Sequence, residues 1–277
     1  MRGHLREGRT RLDAILAMPS SQQYVDPRAR ALEAAGGIAY WQGEMAACQV
    51  YYDEALELVR LGGDQRAIAN ALYNASFPAN VDKSDLPKAQ RLLGEALPMF
   101  RRLDDEAGIA RCLWALAQTY VYSNDDEKGI ESLDEAIVLF RRLGDMFGLG
   151  WALFVRAVVA LKQQDIAVAE SLAAEALRIF ADAHDVSGAV LVLDALAEAA
   201  ARSGDAIRAQ RLAGAASAHE VATGAYLTTV VVLREGWRRV ESTPSPAEKV
   251  AREEGAAMPL DQAIAYALSS DAELSKP

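Results

Sequence analysis

The feature that most constrains this chain is self-similarity at a period of about 40 residues. The triplets Glu54-Ala55-Leu56, Glu95-Ala96-Leu97, Glu135-Ala136-Ile137 and Glu175-Ala176-Leu177 follow one another at intervals of 41, 40 and 40 residues. An acidic series, Glu44, Asp85, Asp125, Asp165 and Asp205, keeps the same register, as does a second one, Asp64, Asp105, Asp145 and Asp185. Gly108, Gly148 and Gly188 trail the second series by three residues each, and Phe100, Phe140 and Phe180 form a further series. Agreement between acidic, small and aromatic registers marks a repeat array, in which each unit buries its apolar surface only by stacking on its neighbours.

Each unit reads as two helices. Ala89, Leu92, Leu93, Ala96, Leu97 and Phe100 fall at the spacing of one helical face, and Ile109, Leu113, Leu116, Ala117 and Tyr120 do so again after Asp105. The recurrent acids stand where helices begin, where a carboxylate accepts from free backbone N–H groups. The pairs Arg101-Arg102 and Arg141-Arg142 fall at helix ends, where positive charge is favoured. Alanines recur at fixed positions (Ala55, Ala96, Ala136, Ala176 and Ala216), which lets neighbouring helices approach closely.

The order of Ala117, Tyr120, Asn124-Asp125, Gly129 and Ala136 resembles the tetratricopeptide repeat, in a version with longer helices. The resemblance covers roughly residues 27–222. It implies an all-α, right-handed α-solenoid of antiparallel helix pairs with a short C-terminal helical cap. The expected division is a solenoid over 1–222, made of a half repeat (1–20) and five helix pairs, then capping helices and tail over 223–277. The chain is expected to begin mid-repeat, as a piece of a longer protein or with an unusual cap. Met18 to Pro27 is expected as the first loop, and Ala247–Glu254 and Leu260–Leu268 as short closing helices.

Three further strings, Gly3-His4-Leu5-Arg6-Glu7-Gly8-Arg9, Arg211-Leu212-Ala213-Gly214-Ala215-Ala216 and the segment from Glu254 to Ile264, resemble the C-terminal repeat region of bacterial LuxR-type and STAND ATPase regulators, including cyclase-linked ones. That resemblance implies a sensing or regulatory module. The ATPase and output activities do not carry over, because the phosphate-binding loop and the helix-turn-helix are missing from this sequence.

Chemistry-bearing residues are sparse. His184 reads as a surface turn residue, His219 lacks a second ligand at metal spacing, and Cys48 and Cys112 replace repeat alanines and read as small buried residues. The recurrent carboxylates are accounted for as helix starts. No catalytic, metal or cofactor site is therefore expected, and the chain is expected not to be an enzyme. With 29 Lys and Arg against 39 Asp and Glu, the net charge of −10 disfavours nucleic acid. No apolar run suits a membrane span or signal peptide, so the expected location is cytoplasmic.

One stripe stands above this background. Projecting the register onto the first helix of each pair places Trp41, then Asn70, Tyr73 and Phe77, then Arg111, Trp114 and Gln118, then Trp151 and Phe154, then Asp194 on a common concave face. Tyr73, Trp114 and Phe154 are equivalent positions. Aromatic residues flanked by charge suit a groove that binds a protein or peptide segment; core packing is the competing reading of the same rings. The expected function is thus a non-enzymatic interaction module, the sensor or regulatory part of a bacterial signalling or transcriptional regulator. The alternative is a small-molecule effector-sensing domain of a STAND-type ATPase.

Overall fold

In a computed structural model of the chain, residues 2–81, 83–223 and 244–269 are described. Among them are thirteen α-helices and no strand. The helices are α1 (Arg2–Leu16), α2 (Val25–Gln42), α3 (Met45–Gly62), α4 (Gln65–Val81), α5 (Leu86–Arg102), α6 (Glu106–Tyr122), α7 (Asp126–Leu143), α8 (Met146–Lys162), α9 (Ile166–Asp182), α10 (Val186–Ser203), α11 (Ala206–Thr223), α12 (Pro246–Ala256) and α13 (Leu260–Leu268). The architecture is an all-α helical repeat, an α-solenoid of adjacent helix pairs. No helix among the described residues is long and apolar enough to cross a membrane.

The chain divides into two compact units, residues 1–139 and 140–277. In the first, each helix from α1 to α6 packs against the next, and α4 also touches α2 and α6. In the second, α8 to α12 pack in succession, α8 touches α10, and α13 lies against α9, α10 and α11.

The turns explain the spacing. One residue at each turn from α2 to α11 adopts the left-handed conformation: Gly43, Gly63, Lys83, Asp104, Asn124, Gly144, Gln164, His184 and Gly204. They recur every 20 residues, with a single interval of 21 at Lys83–Asp104. The next residue stands at the start of the following helix and usually caps it; after Lys83 the cap is Asp85, two residues on. Asp105 Oδ1 accepts from Gly108 N at 2.9 Å, Asp145 from Gly148 at 2.9 Å, Asp165 from Val168 at 3.2 Å and Asp185 from Gly188 at 3.1 Å. Its own N–H closes the previous helix, as Asp145 N does on Phe140 O at 3.0 Å. Glu44 departs from the pattern. It stands at a helix start, but its carboxylate forms no cap and pairs with Arg9 at 2.6 Å.

The Phe and Gly registers turn out to be one device. A Cβ added at Gly108 would lie 2.6 Å from Phe100 Cε1, one at Gly148 2.6 Å from Phe140 Cδ1, and one at Gly188 2.6 Å from Phe180 Cγ. Each ring is fully buried and fills the notch left by the glycine. The glutamates of the triplets also acquire a role. Arg60 reaches Glu95 at 3.0 Å, Arg101 reaches Glu135 at 3.1 Å and Arg141 reaches Glu175 at 2.7 Å, linking successive second helices of the pairs. These pairs are exposed, so each contributes at most about 1 kcal/mol.

At the edges, the segment expected as the first loop holds a 3-10 turn (Pro19–Gln23), and α2 starts inside it at Val25, with Pro27 in its first turn. Pro is compatible there, since first-turn N–H groups have no helical partner. The closing helices form as α12 and α13. A capping box starts α12 at Ser245 and Glu248. Backbone-close packing joins it to α11: a Cβ at Gly214 or Gly255 would overlap the carbonyl of Arg252 or Arg211. The apolar run Thr229 to Leu233 and part of the expected linker, Ser242-Thr243, lie outside the described residues.

Candidate functional site: an aromatic face bordered by cations

The stripe residues of the first unit come together on α2, α4 and α6, the first helices of three successive pairs. Tyr73 and Phe77 stand one turn apart on α4, and their rings meet edge to face at 4.9 Å. Phe77 also meets Tyr40 of α2 at 5.8 Å and Trp114 of α6 at 6.4 Å. Tyr40 meets Trp41 edge-on at 5.5 Å. Five rings thus form one connected array across three helices. Edge-to-face pairs of this kind contribute about 0.5–1.5 kcal/mol each, so part of the array's role is to hold the pairs together. Its outer end is open. Trp41 is 64% exposed, and Tyr73, Phe77 and Trp114 are half-buried. Tyr40, which bridges Trp41 to α4, was not on the projected stripe; only its place beside Trp41 hints at it.

Polar groups border the rings. The Arg111 guanidinium lies 5.4 Å from the centre of the Tyr73 ring and donates to Ala107 O at 3.3 Å and Asn70 Oδ1 at 3.5 Å. Lys83, at the α4–α5 turn, places its ammonium 5.0 Å from the centre of the Tyr122 ring at the far end of α6. Among the described residues neither cation pairs with a carboxylate, whereas Arg28, Arg60, Arg66, Lys88 and Arg101 all do. Glu33 on α2 accepts from Asn74 at 3.4 Å. Burial holds its carboxyl above the usual range, opposed by that hydrogen bond and by the charge of Arg30. Burial likewise pushes the Tyr73 and Tyr122 phenols up, Tyr73 against the opposing charge of Arg111. Gln118 is buried between Trp114 and Tyr122 on the same side of α6. The Trp114 Nε1, Tyr122 hydroxyl and Asn80 Oδ1 atoms are buried with no hydrogen-bond partner. Such atoms cost about 1–3 kcal/mol each when left unsatisfied.

The remaining stripe residues belong to the second unit, and there the expectation changes. Phe154 has no accessible surface and Asp194 is buried. Trp151 is half-buried, with its ring 5.3 Å from Phe180, 6.1 Å from Phe154 and 6.3 Å from Phe147. The reason is the sequence of α8. Leu149, Leu153, Val155, Val158, Val159 and Leu161 make it apolar nearly all round, and a helix of that kind is covered on all sides. Phe154 is therefore core, and of the stripe's rings in the second unit only Trp151 stays half-open. Phe147, 62% exposed, is a surface aromatic that the stripe did not include.

The nucleophile and metal candidates are placed as follows. Cys48 and Cys112 are fully buried and reduced, and burial pushes each thiol up to about 12. His184 is an exposed turn residue, and a ring nitrogen of His219 lies 2.9 Å from Met258 O. Among the described residues no group of three or more His, Cys, Asp or Glu side chains is placed to hold a metal ion.

No sequence profile of a known protein family matches the chain, and neither does any curated protein. Solved structures do. One is BtubC (BKLC) from P. vanneervenii, with a TM-score of 0.65 and 16% identity, covering 87% of this chain and 96% of that one. Another is aspartyl phosphate phosphatase F from Bacillus subtilis, with a TM-score of 0.56 and 13% identity, covering 79% of this chain. This chain spans only 63% of the phosphatase's length. Both neighbours are tetratricopeptide-like helical-repeat proteins. At these identities the likeness establishes the fold.

Proposed function

We propose that the chain is a non-enzymatic recognition module that binds a segment of a protein partner on the α2–α4–α6 face. The observation that carries this reading is the connected aromatic array. It joins five rings across the first helices of three successive pairs and ends in Trp41, 64% exposed. Exposed aromatics backed by a rigid packed array are the side chains that dominate binding interfaces. The absence of a catalytic constellation in the sequence, and the protonated, buried state of both thiols, fit a binding role better than a chemical one. The resemblance of three short strings to LuxR-type and STAND regulators supports reading the module as a sensor or regulatory part of a bacterial signalling protein.

The test is selection of a displayed random dodecapeptide library on the full chain, repeated on Trp41→Ala. Trp41 is mostly solvated, so its loss leaves the fold intact, which a melting curve checks. Enriched peptides that lose binding on Trp41→Ala support the reading. Empty selections, or peptides indifferent to that change, overturn it. Specific thermal stabilisation by one metabolite from a broad panel, with empty peptide selections, would favour the effector-sensing alternative.

A further inference from the structure

We infer that the segment taken by this face is acidic: an extended stretch of a protein partner with two carboxylates about five residues apart and an aromatic or large aliphatic side chain between them. The inference rests on the recognition role proposed above and names the partner's chemistry.

Three observations carry it. The first is charge. The chain has a net charge of −10, and Arg28, Arg60, Lys88, Arg101 and Arg141 are each engaged with a carboxylate. Among the described residues Arg111 and Lys83 are not: Arg111 lies against the Tyr73 ring of the array and Lys83 against the Tyr122 ring on α6. A cation held over a ring keeps most of its charge available to an incoming anion. Glu33 is the acid on this face, and it already has Asn74 and Arg30 beside it.

The second is donor chemistry. Asn70 Oδ1 accepts from Arg111, so the amide turns its NH2 side away from the guanidinium. The Arg111 fork and the Asn70 amide together form a donor-rich corner, suited to a carboxylate that accepts two hydrogen bonds. The third is spacing. Arg111 and Tyr122 are 11 residues apart on α6, which corresponds to about 16 Å along the axis. An extended segment advances about 3.3 Å per residue, so carboxylates about five residues apart match the two cations. The rings of Tyr73, Phe77 and Trp114 lie between them and would receive the apolar side chain.

The library selection supplies the test. Winning peptides are expected to carry two acids four to six positions apart around an aromatic or large aliphatic residue. A labelled synthetic winner is expected to bind Arg111→Gln and Lys83→Gln about tenfold more weakly each, the loss of one charge-assisted hydrogen bond, and to weaken as salt rises. Lys83 is an exposed turn residue, so its variant keeps the fold even if Arg111→Gln does not. Winners that are neutral or basic, or acidic winners indifferent to both variants, overturn the inference while leaving a peptide-binding face in place. An empty selection overturns the recognition role itself.

Discussion

Replacing Gly108 with alanine sets two effects of similar size against each other. Alanine is a better helix former than glycine by about 1 kcal/mol, and Gly108 lies in the first turn of α6, so propensity alone predicts a more stable protein. The notch predicts the reverse. The new methyl would lie 2.6 Å from Phe100 Cε1, about 1 Å inside the preferred carbon–carbon separation. The ring cannot retreat, because Phe100 is fully buried among Leu92, Leu93 and Cys112 of the same core. Overpacking of this kind costs about 1–3 kcal/mol, so Gly108→Ala is expected to destabilise by a net 1 kcal/mol or so. That corresponds to about 2–4 °C in melting temperature for a chain of this size. The repeat supplies the control. Forty-one residues earlier, Val59 and Ala67 stand at the positions of Phe100 and Gly108, so Phe100→Val alone should leave a cavity that the alanine methyl partly fills. The double variant is then expected to be more stable than the sum of the singles by about 1 kcal/mol, read from urea denaturation followed by circular dichroism. A Gly108→Ala protein that melts at or above the parent, or singles that simply add, would refute the notch.

Other consequences can be checked separately. Gln164→Gly, at a left-handed turn residue with φ of 63°, is expected to raise stability by about 1 kcal/mol in the same denaturation assay, and Gly144→Ala to lower it. Gly255→Val should detach α12 from α11, because even a Cβ at Gly255 overlaps the Arg211 carbonyl; limited proteolysis should then cut within 244–269 while α2 to α6 stay resistant. Both thiols are held protonated, up to about 12 against an ordinary 9.0. A thiol whose pKa is raised by folding contributes its full stability below the unfolded value and loses it as pH climbs toward the folded one. Stability is therefore expected to fall as pH rises above 9, less steeply in Cys48→Ala, and a thiol reagent at pH 8 should label neither cysteine in the native chain. Glu135→Gln removes an exposed partner of Arg101 and should shift stability by less than about 1 kcal/mol.

Much of the fold was legible because its causes are local. Asp105, Asp145 and Asp185 cap whichever helix follows them, since a carboxylate needs only the next turn's N–H groups. The turns were less legible. The left-handed position is filled in order by Gly, Gly, Lys, Asp, Asn, Gly, Gln, His and Gly, so residue type disguises a backbone geometry that repeats faithfully. The candidate face was legible only in part. Asn70 and Arg111 were placed together by register and do meet. Phe154 has the same register as Tyr73 and Trp114, yet it is core, because exposure depends on the flanks of α8 and on what covers them.

The sequence by itself determined the repeat, its period, the helix starts and the small positions where helices touch. These follow from interactions within about one turn of a residue, or from identity recurring at a fixed interval. Only the tertiary structure decided which aromatic rings stay open. It joined Phe to Gly across turns, sent Glu95, Glu135 and Glu175 to arginines of the preceding pair, and left Arg111 and Lys83 over tyrosines with no acid paired to them among the described residues. The Phe–Gly contact spans eight residues and a turn, and the others depend on neighbours about 35 to 40 residues away along the chain; a side chain's surroundings at either range exist only once the helices have packed.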